Sequence, residues 1–412
     1  MVVYNSIIRG YGLIIKIASL RKQKAAQWVA GRKHWKKHLA QKMAALPAGE
    51  RVWVHCASYG EFEQGRPLME AIKQQYPTHK IILTFFSPSG FEPFKNWSGA
   101  DVICYLPLDT KANARSFIDL VKPKTAIFIK YEFWVNFLFG LKKQNIPTFL
   151  VSAVFKPHHP FFKWYGGLFR KSLATFSRLF IQDEASARLL DGIGITNYEV
   201  CGDTRFDRVL AIRDSFKPIA FFEAFCRNKK ILIGGSTWPK DDEFLIEAFQ
   251  KINDPELKLV IVPHNVDAKS IASMEQLLQK NSLNYSLYSR QEINPLANIM
   301  IVDAMGLLSK LYHYATVAYI GGGFNSGIHN CLEPAVHLKP VIFYGGDDYH
   351  KYNEAVELLE MGTAKNVGNV PELQQAILAY LNDPQHKIES LLTAYFAKNS
   401  GTTTKVLGHI QL

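Results

Sequence analysis

Two glutamates each follow directly on an apolar run in the first half of the chain. Glu61 stands in "SYGEFEQGRPL", just after "RVWVHCA", and Glu132 stands in "IFIKYEFWVNFL". Short apolar runs of this kind read as buried strands. Each carboxylate is therefore expected just past a strand's carboxyl end. One such acid is most simply a helix cap or a surface charge. Two on one sheet point to proton transfer.

The second half carries a different set. "ATVAYIGGGFNSGIHNCLEPAVHLKPVIFYG" reads as strand, glycine loop, helix, strand. Gly321, Gly322 and Gly323 let the backbone turn tightly and approach a ligand. A helix is expected to start near Gly327, His329 and Asn330, where free N–H groups and the dipole favour an anion. Glu333, about one turn in, suits ribose hydroxyls. The spacing is neither the dinucleotide fingerprint nor a P-loop. "LIGGSTWPKDDEFLIEAF" repeats the pattern: a strand ends in Gly234 and Gly235. Ser236 and Thr237 then either cap the next helix or bind phosphate.

These residues need a scaffold. Apolar runs at 52–57, 81–86, 102–106, 126–129, 148–152, 179–182 and 199–201 alternate with amphipathic stretches such as 67–76 and 134–144. The rhythm breaks after Asp203, where "RDSFKPIAFFEAFCRNKK" reads as a connecting helix. It resumes at 231–234, 259–262, 299–302, 317–320 and 341–344. Such alternation predicts an α/β chain of two Rossmann-like domains facing a cleft, with ligands at the carboxyl ends of parallel strands. The expected division is 1–45 as a basic membrane-associating segment, 46–210 as the first domain, 211–228 as a linker and 229–390 as the second domain. A helix over 391–412 is expected to return to the first domain.

The chain has 412 residues and a formal net charge of +12. Residues 1–49 contain no Asp or Glu but carry Arg9, Lys16, Arg21, Lys22, Lys24, Arg32, Lys33, Lys36, Lys37 and Lys42. Such a block seeks polyanions, a nucleic-acid backbone or an anionic membrane. The apolar stretch "YGLIIKIASL" favours the membrane. It falls short of the roughly 20 residues of a spanning helix, so an interfacial helix is expected. Ile7, Ile8, Leu13, Ile14, Ile15 and Ile17 would enter the acyl boundary, with Trp28 and Trp35 at the headgroups. The simpler reading is a basic helix packed on the protein itself. The five cysteines (Cys56, Cys104, Cys201, Cys226, Cys331) show no metal spacing and read as free thiols of a reducing compartment.

Taken together, "SYGEFEQGRPL", "YEFWVN", "GGSTWPKDDE" and "GGGFNSGIHNCLEPA" resemble the 3-deoxy-D-manno-octulosonic acid (Kdo) transferases of lipid A biosynthesis, glycosyltransferase family 30. The resemblance implies the GT-B glycosyltransferase architecture, CMP-Kdo as donor and lipid IVA as acceptor. It places the enzyme on the cytoplasmic face of the inner membrane, held there by the basic N-terminus. CMP-Kdo is a substrate; no cofactor, metal or nucleic-acid partner is expected. Glu61 falls on the family's catalytic base and Glu132 on the glutamate of its Glu-Leu-Trp motif. Donor contacts fall on Arg205, Gly235, Ser236, Thr237, His264, Gly323, Asn325, Gly327, His329, Asn330 and Glu333. Acceptor contacts fall on Ser58, Gly60 and Lys130. The chain departs from the pattern at Pro263-His264-Asn265, where the family has Pro-Arg-His, and at Lys130-Tyr131-Glu132-Phe133, where it has Glu-Thr-Glu-Leu. The stretch "AVFKPHHPFFKWY" is more aromatic than usual. It is expected to form either core or a cationic, apolar surface for the acceptor. Other readings are a GT-B enzyme using a UDP-sugar, as transferase or 2-epimerase, and a non-catalytic lipid-binding protein.

Overall fold

In the computed structural model, residues 1–325, 327–382 and 386–410 are described. Ser326 and the last two residues of the expected 391–412 segment lie outside them. The chain divides into two compact units, Met1–Arg208 with Asn399–Leu412, and Val209–Lys398.

The first unit holds a seven-stranded sheet: β1 (Arg51–Cys56), β2 (Lys80–Phe85), β3 (Val102–Tyr105), β4 (Thr125–Ile129), β5 (Thr148–Ala153), β6 (Arg178–Ile181) and β7 (Tyr198–Val200). Their order is β3-β2-β1-β4-β5-β6-β7, and every pairing is parallel. Helices cover both faces, so the central strands are buried on both sides. That is why they read as continuous apolar runs and not as alternation. Strand order reverses between β1 and β4, the place where an open α/β sheet leaves a crevice at its carboxyl edge. Glu61 follows β1 and Glu132 follows β4, so both expected carboxylates flank that point.

The second unit repeats the design with β8 (Lys230–Thr237), β9 (Leu257–Pro263), β10 (Tyr285–Leu287), β11 (Ile299–Ile301), β12 (Val317–Ile320), β13 (Val341–Phe343) and β14 (Ala364–Asn366). Their order is β10-β11-β9-β8-β12-β13-β14, again all parallel. The reversal falls between β8 and β12. Ser236 and Thr237 lie at the end of β8, and the glycine loop follows β12.

Three differences from the sequence reading have plain causes. The connecting helix is two helices, Arg205–Asp214 and Ala220–Cys226. Pro218 between them offers no N–H to continue the first. The helix after the glycine loop does not start near Gly327–His329. It runs only over Leu332–Val336. Gly327 takes a φ of 109° that a helix cannot hold, and the Asn330 side chain accepts the Leu332 N–H at 3.1 Å. Finally, residues 1–45 are helices α1 (Val2–Ala18), α2 (Gln23–Ala30) and α3 (Trp35–Ala44) of the first unit. Trp28 is buried there beneath the Arg32 guanidinium, 3.8 Å from its ring centre, and Trp35 packs against Phe117. Trp28 is therefore not free to meet headgroups, while Trp35 is half-buried.

The chain's end also belongs to the first unit. Val406, Leu407 and Ile410 join Val52, Phe62 and Leu83 in one hydrophobic cluster. The helix Thr402–His409 is capped by Asp207, whose carboxylate accepts from the Gly401 and Thr403 amides at 2.7 and 2.6 Å. Asp207→Ala should lower unfolding stability by about 1–2 kcal/mol. The urea midpoint measures it, and an unchanged midpoint would mean the cap contributes nothing.

Candidate functional site

The first unit builds its site on the loops after β1, β4, β6 and β7. Ser58 precedes helix α4 (Tyr59–Gln75), and Glu61 is its third residue. The Ser58 amide donates to Glu61 Oε2 at 3.0 Å, and the Ser58 hydroxyl donates to the same oxygen. This is the reciprocal arrangement that starts a helix. It also fixes the carboxylate while leaving Oε1 outside both bonds. The cap and catalytic readings of Glu61 are thus not exclusive.

Glu132 is placed differently. It is buried, and its Oε2 lies 2.9 Å from His55 Nε2. The Trp134 indole N–H donates to that same oxygen. His55 Nδ1 lies 2.8 Å from the Thr84 hydroxyl and 3.1 Å from the Thr84 carbonyl, and the hydroxyl accepts from Trp53 Nε1 at 2.8 Å. A buried carboxylate without such partners would be very costly. His55, inside strand β1, is the residue the sequence reading missed. The signal was there: an imidazole within "RVWVHCA" has to find a partner once buried. Both carboxylates act on the thiol of Cys56 between them, which burial first, then Glu61 and Glu132, push well above its ordinary range.

Tyr131 feels several charges, Glu61 among them. Burial, then Asp183 and Glu61, raise the Tyr131 phenol, while Arg205 pulls it back. Lys130 has a φ of 66°, outside the usual range for a side-chain-bearing residue, and its ammonium sits 5.4 Å from the Tyr131 ring centre. Arg205, expected at the donor, is held by Asp203: its amide donates to Oδ1 at 2.9 Å and its Nε to Oδ2 at 2.8 Å. Asp203 is buried, which would raise its pKa, but Arg205 and Gln64 bring it below the ordinary value. Gly60 lies within the first turn of α4, and nothing would crowd a Cβ there.

The aromatic stretch after β5 divides. Phe155 and Phe161 are core, packed with Phe133. Trp164 is 92% exposed and Tyr165 is exposed beside it.

The second unit gathers its expected residues at the ends of β8, β9 and β12. Asp241 ties them together. This fully buried carboxylate accepts from the Trp238 and Gly322 amides at 2.9 Å each and from the Tyr319 hydroxyl at 2.8 Å. The glycines are required by space. A Cβ on Gly323 would lie 1.4 Å from the Tyr344 carbonyl oxygen, and one on Gly235 would lie 1.9 Å from the Tyr312 hydroxyl. His264, just past β9, is the middle of three stacked rings. Its centre lies 4.7 Å from Trp238 and 4.8 Å from His329. Trp238 is the second residue missed, although it stands inside "GGSTWPKDDE". Burial, then His264, push His329 down to about 4, so it is neutral near pH 7. Its backbone N–H donates to the Gly321 carbonyl at 3.1 Å. The Asn330 amide donates to Glu333 Oε1 at 3.4 Å. Asn325 folds back on Gly322, its N–H donating to that carbonyl at 2.9 Å. Ser236 has a φ of 53°, and Thr237 is buried, its carbonyl accepting the His264 N–H at 2.9 Å. The helix expected to start near Gly327 and His329 is thus a short one at Leu332–Val336.

Among the described residues, no group of three or more His, Cys, Asp or Glu is gathered as a metal would need. Nor is any helix there long and apolar enough to cross a membrane.

The sequence profile of a family described as "3-Deoxy-D-manno-octulosonic-acid transferase (kdotransferase)" matches residues 32–208. A 3-deoxy-D-manno-octulosonic acid transferase of Aquifex aeolicus is 30% identical over 328 residues, covering 78% of this chain and 83% of the relative. The chain belongs to the Kdo transferase family. It is a glycosyltransferase. A bifunctional glycosyltransferase/methyltransferase of Fusobacterium nucleatum is 27% identical over 88% of this chain, and the chain spans only 57% of that protein's length. In fold, the chain is similar to UDP-GlcNAc 2-epimerase from Neisseria meningitidis, with a TM-score of 0.61, 15% identity, and coverage of 87% and 98% of the two chains. That likeness shows the GT-B fold class and nothing of the substrate.

The neutral His329 has a consequence for stability. Its folded pKa lies below the unfolded value of 6.5, so its contribution is present above pH 6.5 and is lost as pH falls towards 4. Asp242, pushed up to about 7 first by burial, acts with the opposite sign in an overlapping range. The difference between wild type and His329→Gln isolates the histidine. From pH 7 to 4.5 the wild type should lose roughly 1–2 kcal/mol more stability than the variant. Parallel curves would show that His329 charges freely in place.

Proposed function

We propose that this chain transfers Kdo from CMP-Kdo to lipid IVA with inversion, using Glu61 as general base. The placement of Glu61 carries the reading. Its carboxylate is fixed on one oxygen by Ser58 at the sheet's reversal point, and the other oxygen is left to take a hydroxyl proton. The acceptor's 6′-hydroxyl gives its proton to Glu61 as the oxygen attacks the anomeric carbon, on the side opposite the departing CMP. A positioned base is worth roughly 10²–10⁴-fold. The transition state is oxocarbenium-like, as in other glycosyl transfers.

Glu132, buried and held on one oxygen by His55 and Trp134, is taken as the orienting partner of the more accessible Glu61. Ser58 and Gly60 beside Glu61, with Lys130 and Arg205 on the neighbouring loops, suit an anionic acceptor. On the second unit, Glu333 takes the ribose hydroxyls. The phosphate meets Gly323, Asn325, Gly327, His329 and Asn330 together with Ser236, Thr237 and His264. His329, being neutral, serves as a hydrogen-bond partner and not as a cation. Arg205 gives the reaction a fixed cation near Glu61 for an anionic group.

The acceptor's acyl chains call for a lipid surface. Helix α1 buries Ile8 and Gly12 but exposes Val2, Val3, Ile7, Leu13, Ile14 and Ile17. Such a stripe, flanked by cations and no acids, suits the anionic cytoplasmic face of the inner membrane. Trp164 and Tyr165 offer interfacial side chains of the same kind. Trp164→Ser together with Ile14→Ser should weaken binding to anionic vesicles by at least about tenfold, read by sedimentation. Unchanged binding would move the contact elsewhere.

The reaction is tested with purified protein in detergent and chelator, CMP-Kdo and lipid IVA, wild type beside Glu61→Gln. The wild type should yield Kdo-lipid, counted by mass. The variant should lose at least about a hundredfold in kcat while keeping its CMP affinity. A variant as active as wild type would remove Glu61 from the role. Binding of UDP in place of CMP would turn the reading to a UDP-sugar.

A further inference from the structure

Helix α1 has a second attachment that a membrane anchor does not need. The segment carrying Glu132 runs straight into the helix Val135–Lys143, and Trp134 is that helix's N-cap without a side-chain cap of its own. Its opening N–H groups are satisfied from elsewhere. The Val135 amide donates to the Tyr4 hydroxyl at 3.4 Å. The Asn136 and Phe137 amides donate to the two oxygens of Asp109, each at 3.1 Å. The Tyr4 hydroxyl in turn donates to Asp109 Oδ2 at 2.5 Å. Next to it, the Asn136 side-chain amide donates to Asn5 Oδ1 at 3.0 Å and to the Asp109 carbonyl at 2.7 Å. Asp109 is buried, so its charge depends on these donors.

A second path runs beside the first. Tyr11 of α1 stacks on Phe86, and Phe86 lies against Trp134 at 4.5 Å. Arg32 fixes the Phe86 carbonyl by donating to it at 2.8 Å. Trp134 then donates to Glu132. Both paths begin on α1 and end on the same residues, 132–136.

We infer that Tyr4 is a positioning residue for the transfer reaction: through Asp109 it sets the start of the helix Val135–Lys143, and through Trp134 the place of Glu132. This rests on the transferase reading and adds to it. Helix α1 then belongs to the catalytic unit as well as to the surface that meets lipid. Misplacing a reacting geometry by a fraction of a helical turn costs on the order of ten- to a hundredfold.

The test uses an acceptor that needs no membrane, lipid IVA stripped of its acyl chains, and the full chain in detergent-free buffer. Tyr4→Phe keeps the ring and loses only the hydroxyl. Its kcat should fall by about tenfold or more, with the KM for CMP-Kdo and the sedimentation with anionic vesicles unchanged. Trp134→Phe, which keeps the ring contact with Phe86 and loses the indole N–H, should also lose kcat. The double variant should be no worse than the poorer single one, because the two act in series. Gly10→Ala, on the same helix with open space around the added methyl, should leave kcat unchanged. A Tyr4→Phe enzyme with wild-type kcat on this acceptor, or losses that multiply in the double variant, would overturn the inference. So would a fall in kcat that follows lowered melting temperature equally in Gly10→Ala. A wild type that makes no product from CMP-Kdo with either acceptor would take down the transferase reading itself, and this inference with it.

Discussion

The burial of Glu132 is the constraint on which the first unit's site depends. An ionised carboxylate inside a protein is tolerated only when its partners are placed well. His55 must therefore stand in the middle of β1, where every other position suits an apolar residue. Thr84 must stand opposite on β2 to hold the imidazole's far side. Trp134 must turn its indole back, and Phe86 must support that indole. The price of one buried charge is thus spread over β1, β2, β4 and the helices at the N-terminus. The more accessible Glu61 requires only Ser58. Its neighbours constrain orientation and leave an oxygen over.

The second unit solves the same problem with Asp241. Two amides and a phenol converge on it, one amide from the turn after β8 and the other from the glycine loop after β12. The carboxylate is a rivet across the sheet's reversal point. With it in place, Gly322 is held although its neighbours are glycines. The stack of Trp238, His264 and His329 closes another side. Both units thus put a buried, hydrogen-bonded acid beside the reversal point and leave a second acid, Glu61 or Glu333, closer to solvent.

The central strands were legible because burial on both faces writes an unbroken apolar run. The edges were not. β10 and β14 are three residues each, at the ends of their sheet, and their composition does not separate them from loops. The site residues were legible where a residue type is demanded by the backbone, as at Gly235 and Gly323. They were illegible where a role depends on a partner distant in sequence. For Glu132, nothing near it in sequence names His55, 77 positions away. Arg205 was assigned to the donor from the resemblance alone, and its bonds to Asp203 were not legible there. The late start of the helix at Leu332 was hidden because Gly327 and Asn330 serve a loop as well as they serve a helix start. Trp28 looked like an interfacial residue in a basic run, and its burial depends on Phe86 and Arg32.

The closing helix, Thr402–His409, bears on how the protein is made. Val406, Leu407 and Ile410 pack against the face of the sheet that includes Val52 and Leu83. A ribosome delivers those strands roughly 350 residues before the side chains that cover them. Through most of synthesis that face has the cover of the helix Tyr59–Gln75 but lacks its last part, while the second unit, contiguous over Val209–Lys398, can fold as it emerges. Contacts of such long range form late and slowly, and nascent surfaces of this kind are where chaperones act. The order of assembly is therefore the reverse of the order of translation: the unit begun first is finished last.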